Sequence, residues 1–248
     1  MEHPANAAAD GAGCEAAELS PPRWRPLSEG GPLLLGCAAT TLAGLAFYRP
    51  AALLGLAGAA GIALAFRDPE RAVAPQPGIA LAPADGRVLH ITTAYDEFWE
   101  TELLEVGIFL ALWNVHVQRA PLDGRVLAQR RKAGGYKPAM TAAATHGNNQ
   151  MATHFRTSYG PCTVTQISGI AARRIVTWVR EGDTVAQGDR LGMIKFGSQV
   201  TLRLPSSATV LVEVGEQVRG GLTPLARLEA PDLRSGATPM NVVREGGR

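Results

Sequence analysis

The heptapeptide PADGRVL at residues 83–89 recurs almost unchanged as PLDGRVL at residues 121–127. A second pair of related segments follows, because GDTVAQGDRL at 182–191 is echoed by GEQVRGGLTP at 215–224. In both pairs a glycine or an Asp-Gly dipeptide supplies the positive φ of a tight turn between two strands. The sequence therefore predicts repeated strand–turn–strand units.

Short β-prone runs bounded by turn residues fill much of the chain after residue 67. In order they are GRVLHITT (86–93), VGIFLAL (106–112), NVHVQ (114–118), GRVLAQ (124–129), PCTVTQISG (161–169), SQVTLRL (198–204) and ATVLVEVG (208–215). In the last run Val210, Val212 and Val214 share one face, as in a half-buried strand. Many short strands with close turns predict a mainly β domain with some α structure, of the β-sandwich or barrel-sandwich type, over residues 67–228. The segment AARRIVTWV at 171–179 fits either a strand or a short helix.

Two apolar runs without any charge precede this domain. Gly31–Phe47 and Ala51–Phe66 are separated by only three residues, which predicts a hydrophobic helical hairpin over residues 31–66. Each run is slightly shorter than the ~20 residues that a helix needs to cross a bilayer, so two short spans or a re-entrant anchor are expected. A signal peptide fits poorly because the apolar run starts late and is doubled. A buried helical pair of a soluble protein would show a polar face, which is missing here.

Charges and tails complete this organisation. Arginines flank the hairpin on both sides: Arg23, Arg25, Arg67 and Arg71. By the positive-inside rule both ends of the hairpin face the cytoplasm, so the expected location is the cell membrane with the β domain on the cytoplasmic side. Residues 1–30 are rich in Ala, Gly, Pro and Glu and are predicted to be a disordered tail. Residues 229–248 are assigned to a C-terminal tail.

The composition excludes several classes of partner and site. The formal net charge is only +2 over 248 residues, and the basic residues are scattered, which argues against nucleic acid. The cysteines at positions 14, 37 and 162 are too few and too far apart for a disulfide framework or a zinc site. No pair of histidines has the spacing of an HExxH helix. No metal is expected.

Asp85, His116 and Ser198 are the candidate catalytic residues. Asp85 belongs to the Asp-Gly turn of the first repeat, and Asp123 stands in a nearly identical setting. One of the two is expected to be functional and the other structural. His116 lies between two valines, a setting more typical of a hydrogen-bonded core residue than of a base. Ser198 follows Gly197, and no glycine stands two residues later, so the G-x-S-x-G elbow of α/β-hydrolases is absent.

Two alternative functions fit these residues. A membrane-tethered serine hydrolase would use Asp85, His116 and Ser198 as a triad, and composition and spacing alone do not exclude it. Paired strand–turn–strand units also build the barrel-sandwich domains of lipoyl and biotinyl carriers, which display a modifiable lysine at a hairpin tip. Lys195 stands in the matching stretch KFGSQV, but the Met-Lys-Met signature of the carriers is missing. A non-catalytic carrier or scaffold is therefore the second alternative.

Several motifs in one order resemble the phosphatidylserine decarboxylase family, in particular its short bacterial and archaeal type. They are AFRDPERAVAP (65–75), PADGRV (83–88), NVHVQRAPLDGRV (114–126), QISGIAARRIV (166–176), EGDTVAQGDRLGMIKFGSQVTLRLP (181–205) and VEVGEQVRGGLTPLA (212–226). The hairpin before FRDPER also fits the family. The resemblance runs, with gaps, from about residue 31 to about residue 228.

The resemblance implies a catalytic domain that is made as a proenzyme and cuts itself between Gly197 and Ser198. The Ser198 hydroxyl would attack the Gly197 carbonyl, and elimination from the resulting ester would leave a pyruvoyl group as a self-derived cofactor. The chains 1–197 and 198–248 would stay associated. His116 is then expected to act as the base, with Asp85 orienting it.

The expected substrate is phosphatidylserine, held at a lipid membrane. Its amine would form a Schiff base with the pyruvoyl carbonyl, and loss of CO₂ would give phosphatidylethanolamine for phospholipid biosynthesis. The resemblance also allows a homo-oligomer. One departure concerns the head group, because Asn149 and Gln150 stand where family members tend to carry Glu and Arg. Arg173 and Arg174 are candidates for phosphate contacts, and a solvated basic pair without such a role is the alternative.

Overall fold

The computed structural model of the chain describes residues 25–170, 174–195 and 198–229. Gly197 of the predicted cleavage site and most of the two predicted tails lie outside this part. The helices are α1 (Arg25–Glu29), α2 (Gly31–Phe47), α3 (Arg49–Ala65) and α4 (Ala142–Gly147). Residues 25–29, assigned to the tail from the sequence, thus form a short helix.

The described strands fall into an early and a late group. The early strands are β1 (Ile79–Leu81), β2 (Gly86–Asp96), β3 (Thr101–Leu110), β4 (Val117–Arg119), β5 (Gly124–Lys132), β6 (Gln150–Thr157) and β7 (Gly160–Ile167). The late strands are β8 (Ile175–Thr177), β9 (Thr184–Val185), β10 (Arg190–Ile194), β11 (Ser198–Pro205), β12 (Thr209–Val210), β13 (Gln217–Val218) and β14 (Pro224–Arg227). The prediction of a mainly β domain is confirmed.

The strands of the described residues form three antiparallel sheets. The largest has the order β13-β2-β3-β11-β7-β6-β5-β9 and curls into a half-barrel. Two three-stranded sheets, β1-β14-β12 and β4-β10-β8, accompany it. The main core lies against one face of the large sheet, where Val88, Ile108 and Leu202 are at most 1% exposed. Strands β3 and β11 lie side by side at the centre of this sheet, so their ends are well placed to carry a site.

The two repeats found in the sequence occupy opposite edges of the large sheet. We call residues 83–89 with 215–224 the first Asp-Gly unit, and residues 121–127 with 182–191 the second. In the first, Gly215 N–H donates to the Val88 carbonyl over 2.8 Å, and in the second Gly182 N–H donates to the Val126 carbonyl over 2.9 Å. Both glycines have positive φ, +97° and +93°. The predicted tight turns are therefore present, and they repeat in atomic detail.

Helices α2 and α3, here called the helical pair, are 17 residues each and meet at Tyr48. Small residues bring them together: an added Cβ at Gly44 would collide with the backbone of Ala52, and one at Gly55 with Thr41. None of the helices in the described residues has the length and apolar character needed to cross a membrane.

The strand assignment differs from the sequence-based expectation in several places. The predicted run 114–118 enters a strand only at Val117, the first residue of β4, so His116 lies outside it. The run 208–215 does not form one strand: β12 stops at Val210, and Val214 is 62% exposed. The chain must turn there, because positive φ at Gly215 directs it back toward β2. Strand β6 was not predicted, because its sequence QMATHFRT lacks a clear alternation of apolar and polar residues.

Candidate active site

The topology brings Asp85, His116 and Ser198 to one end of β3. Asp85 directly precedes β2, whose first residues pair with the end of β3. Ser198 is the first residue of β11 and pairs with Leu110, the last residue of β3. His116 lies in the connection that follows β3. Because β2 and β11 lie on either side of β3, residues from three distant parts of the chain converge here.

Ser198 is fully buried at this end of the sheet. Its exposure is 0%, and alternation along β11 places its side chain on the face of Val200 and Leu202, which line the core. Within the described residues its Oγ has no hydrogen-bond partner. A buried hydroxyl without a partner is destabilising, and such atoms are often reserved for chemistry. The burial favours a reaction with a neighbouring backbone group over one with a diffusing substrate.

His116 is buried as well, and its backbone ties it to the strand that leads to Ser198. Its exposure is 1%. Its carbonyl accepts hydrogen bonds from the Ile194 N–H at 3.2 Å and from Gln118 Nε2 at 2.9 Å. Ile194 is the last residue of β10, four positions before Ser198. The histidine is therefore fixed against the segment that carries the serine.

The charge state of His116 suits a base. Burial lowers the pKa of its imidazole to about 4, because the charged ring would lose its hydration. Hydrogen bonds to the backbone of Asn114 and Ala65 and the negative charge of Asp85 raise this pKa, but burial dominates. The ring is therefore neutral at pH 7, the form in which one ring nitrogen can accept a proton.

Asp85 acts on His116 through its charge, while its hydrogen bonds go elsewhere. Arg71 holds the carboxylate in a two-pronged ion pair, with Nη1–Oδ1 at 2.6 Å and Nη2–Oδ2 at 2.8 Å. The Gly220 N–H donates to Oδ1 over 2.8 Å. The Asp85 side chain is only 13% exposed. The direct orienting hydrogen bond expected from the sequence is not among its contacts, so that role stays a prediction.

Sequence reasoning missed how deeply the RDPER segment enters the domain. Residues 67–71 form no helix or strand. Yet Asp68 is 0% exposed in its side chain and pairs with Arg119 at 2.8 Å and with Arg190. Together with the Arg71–Asp85 pair, this buried network joins the connector to β4, β10 and the first Asp-Gly unit. The alternation of opposite charges around a proline, which is unusual for a free linker, was a signal that could have predicted this burial.

Ser168 is a second buried hydroxyl near Ser198 that the sequence did not indicate. It follows Ile167, which pairs with Gln199 of β11, so Ser168 comes next to Ser198 in the register. Its exposure is 0%, and its Oγ also has no partner within the described residues. A short hydroxyl side chain carries little sequence signal, so only the sheet register reveals it.

The departure at Asn149 and Gln150, with Asn148 before it, lies at the same end of the sheet. Asn148 is a structural bracket: its Nδ2 donates to the Ser168 carbonyl at 2.7 Å and its Oδ1 accepts from the Lys137 N–H at 2.8 Å. Asn149 is 5% exposed, and its carbonyl accepts from the Ser168 N–H at 2.9 Å. The asparagines therefore support the segment beside Ser198.

The large open cavity of the half-barrel lies on the other face of the sheet from Ser198. It measures about 1300 Å³ and is lined by residues such as Thr165, His154 and Arg203. Alternation along β11 directs Arg203 away from the face that holds Ser198. This cavity does not include any of the three candidate catalytic residues.

The chain was compared with known proteins. The family model described as phosphatidylserine decarboxylase matches residues 60–226. A phosphatidylserine decarboxylase proenzyme of Burkholderia multivorans is 39% identical over 165 residues, which is 66% of this chain and 77% of that protein. The proenzyme of the same name from Burkholderia mallei is 40% identical over 164 residues, covering 66% of this chain and 76% of the relative.

Proposed function

The chain belongs to the phosphatidylserine decarboxylase family and is a decarboxylase, and from this premise we propose that it cuts itself between Gly197 and Ser198 and then decarboxylates phosphatidylserine. The single observation that carries the proposal is the position of Ser198. Its hydroxyl is buried and lacks a partner within the described residues, at the end of β3 where His116 and Asp85 also lie.

Self-cleavage starts from the neutral His116. The ring takes the proton of the Ser198 hydroxyl, and the resulting oxygen attacks the carbonyl carbon of Gly197. The peptide bond is thereby exchanged for an ester, and the amino group of residue 198 becomes free. Loss of the α-proton then expels the carboxylate of Gly197 and leaves dehydroalanine at position 198. Hydrolysis of its enamine form releases ammonia and leaves a terminal pyruvoyl carbonyl.

Asp85 stabilises the protonated state of His116 during this step. Its negative charge raises the pKa of the ring, so it favours the imidazolium that forms when Ser198 is deprotonated. The ion pair with Arg71 fixes the carboxylate in place. Asp85 thus supports proton transfer electrostatically.

The site fits a pyruvoyl group made from Ser198. The side chain it would replace is small and buried, and its hydroxyl has no partner within the described residues. Such a carbonyl supplies an electron sink for decarboxylation of an amino acid head group. In its protonated form His116 would donate a proton to the carbon that loses CO₂.

Of the two arginines considered for the lipid phosphate, Arg173 lies outside the described residues and Arg174 is the proposed contact. Its side chain is exposed, and its carbonyl accepts a hydrogen bond from the Lys195 N–H at 3.1 Å, three residues before Ser198. The hydrogen bond to Lys195 therefore holds Arg174 near the segment that carries Ser198. A guanidinium in this place suits the phosphodiester that lies next to the reacting amine. Asn149, next to Ser168, provides neutral hydrogen-bonding groups where a charged contact was expected.

We also propose that the helical pair binds the lipid membrane from the cytoplasmic side. Large apolar side chains cover its outer surface, including Leu35 at 73%, Leu54 at 72% and Phe47 at 89% exposed. Trp113 is 76% exposed, and its carbonyl accepts from Arg67 Nη2 at 2.6 Å at the end of the pair. Exposed apolar surface flanked by arginine and tryptophan suits a bilayer interface.

The structure weakens both alternative functions. A carrier needs a displayed lysine, but Lys195 is ion-paired with Glu29 and its side chain is only 15% exposed. A hydrolase without self-cleavage would have to use Ser198 as it stands in the uncut chain, where it is 0% exposed. The proposed decarboxylase needs access to this position only after cleavage. Neither alternative is favoured by a specific observation.

The wild-type chain and two variants test the proposal in detergent extracts with phosphatidylserine vesicles. Wild-type chain is expected to appear as two chains and to release CO₂. Ser198→Ala should stay whole and inactive. Ser198→Thr keeps a hydroxyl and should accumulate ester, so hydroxylamine should cut it after residue 197. A wild-type chain that stays uncut and still releases CO₂ would contradict the self-cleavage mechanism. A chain that is cut but releases no CO₂ would contradict only the proposed substrate, phosphatidylserine.

A further inference from the structure

The end of α3 is built into the wall of the candidate active site. Phe66, directly after α3, is 2% exposed and packs with four buried side chains: Val115, Val117, Trp178 and Met193. Val115 and Val117 are the neighbours of His116 on both sides. The last turn of the helical pair therefore fixes the backbone on either side of the proposed base.

The same helix end also reaches the ring of His116. One of the hydrogen bonds that raise the pKa of this ring is made with the backbone of Ala65, the last residue of α3. A bond that favours the protonated ring requires an acceptor, so the partner is the Ala65 carbonyl. Carbonyls at the C-terminus of a helix lack partners within the helix and carry partial negative charge. The helix end thus orients the imidazole and favours its protonated form.

Glu29, the last residue of α1 just before the helical pair, holds the opposite side of the site. Lys195 Nζ lies 2.9 Å from the Glu29 carboxylate and donates to the Glu29 carbonyl at 2.7 Å. Lys195 stands three residues before Ser198, in the segment that enters the proposed cleavage site. Its ammonium also lies 5.8 Å from the centroid of the Phe66 ring, so both ends of the helical pair meet at this lysine.

These contacts form one connected structure. A Cβ added to Gly30 would lie 3.2 Å from atoms of Phe66 and Ile62, so the beginning of α2 packs tightly on the end of α3. One end of this assembly contacts His116 and the other contacts the Ser198 segment. A shift of about 1 Å between reacting groups can cost on the order of a hundredfold in rate.

We propose that the base of the helical pair, formed by Glu29, Ala65 and Phe66, is a positioning device for self-cleavage. It holds His116 and the segment that enters Ser198 in fixed relation to each other. The inference rests on the proposed cleavage at Gly197–Ser198 and adds a specific role for the helices, independent of any contact with lipid. The chain then cuts itself only after the helical pair has docked on the β domain.

The Glu29–Lys195 ion pair provides the test. The fraction of cut chain is followed over time by gel and intact mass during cell-free synthesis in detergent. Glu29→Gln and Lys195→Met should each slow cleavage about tenfold. Lys195→Arg keeps the charge and should cleave close to the wild-type rate. The double variant Glu29→Lys with Lys195→Glu restores a pair of opposite polarity and should recover a large part of the lost rate.

Glu181→Gln is the matched control. It removes one member of another ion pair, Arg130–Glu181, at 3.7 Å and largely exposed, and should leave cleavage unchanged. Wild-type cleavage with single variants at the wild-type rate would overturn the positioning role alone. Single variants that are slow, combined with a charge-swapped chain that is equally slow, would also overturn it. A wild-type chain that stays whole would instead refute the proposed self-cleavage.

Discussion

The two Asp-Gly units use the same local structure, but only one of them borders the candidate active site. In the first unit the Gly220 N–H donates to Asp85 Oδ1 at 2.8 Å, and in the second the Gln187 N–H donates to Asp123 Oδ1 at 2.6 Å. Both aspartates thus close the same kind of turn. The aspartate in each unit is explained by turn geometry before any chemistry is considered.

The surroundings make the two aspartates different. Arg71 covers Asp85 and pairs with both of its oxygens, whereas Asp123 is exposed. The charge of Asp85 acts on His116. Arg71 comes from the segment between the helical pair and the β domain, which passes over the first unit. The proposed catalytic role of Asp85 therefore depends on the residues that pack against its turn, since the turn itself is the same in both units.

Replacing the two aspartates one at a time should give the largest difference between the two Asp-Gly units. Asp85→Asn is expected to slow self-cleavage by at least about a hundredfold, because the imidazolium formed at His116 loses its nearby negative charge. Asp123→Asn should cleave within about twofold of wild type, since amide and carboxylate both cap the turn. The rates are measured by gel during cell-free synthesis. Equal effects of the two substitutions would show that both aspartates are structural.

Lowering the pH should reduce the free energy of unfolding, because His116 is buried in its neutral form. The pKa of buried His116 is about 4, and burial also lowers that of His154 to about 4, whereas an unfolded histidine titrates near 6.5. Between these values the unfolded chain binds more protons, so the free energy of unfolding falls as the pH falls from about 6.5 toward 4. Each histidine contributes on the order of 2–3 kcal/mol of this loss.

The histidine contribution is measured by urea unfolding of the uncleaved Ser198→Ala chain at several pH values. Adding either His116→Gln or His154→Gln should flatten the pH dependence by a similar amount. In a chain with Ser198 intact, only His116→Gln should abolish cleavage. A pH dependence unchanged by either substitution would contradict the buried, neutral state of these rings.

Substituting the turn glycines should destabilise the two units equally, and this is the smallest of the expected effects. Gly182→Ala and Gly215→Ala each place a side chain at positive φ, and each is expected to cost about 1 kcal/mol of unfolding free energy. Neither substitution should change the cleavage rate by more than a small factor. Thermal unfolding of the two variants checks this. A much larger loss in one unit would mean that the repeat differs in its backbone as well as in its surroundings.

The sequence revealed the turns because glycine and Asp-Gly carry a strong local signal, and Gly182 and Gly215 have the predicted conformation. The candidate residues were found through motif order, although Ser198 alone reads as part of a loop. The ion pair of Arg71 with Asp85 could not be predicted, because it joins residues whose proximity depends on tertiary packing. The same holds for Ser168, whose place beside Ser198 follows only from the sheet register.

Intact-mass analysis of the purified wild-type chain tests the central claim most directly. The account predicts two chains, 1–197 and 198–248, with the smaller lighter by one ammonia than a chain that begins with serine. It should also react with a hydrazide, as a ketone does. A single full-length mass from folded protein, or a smaller chain that begins with an ordinary serine, would contradict the account.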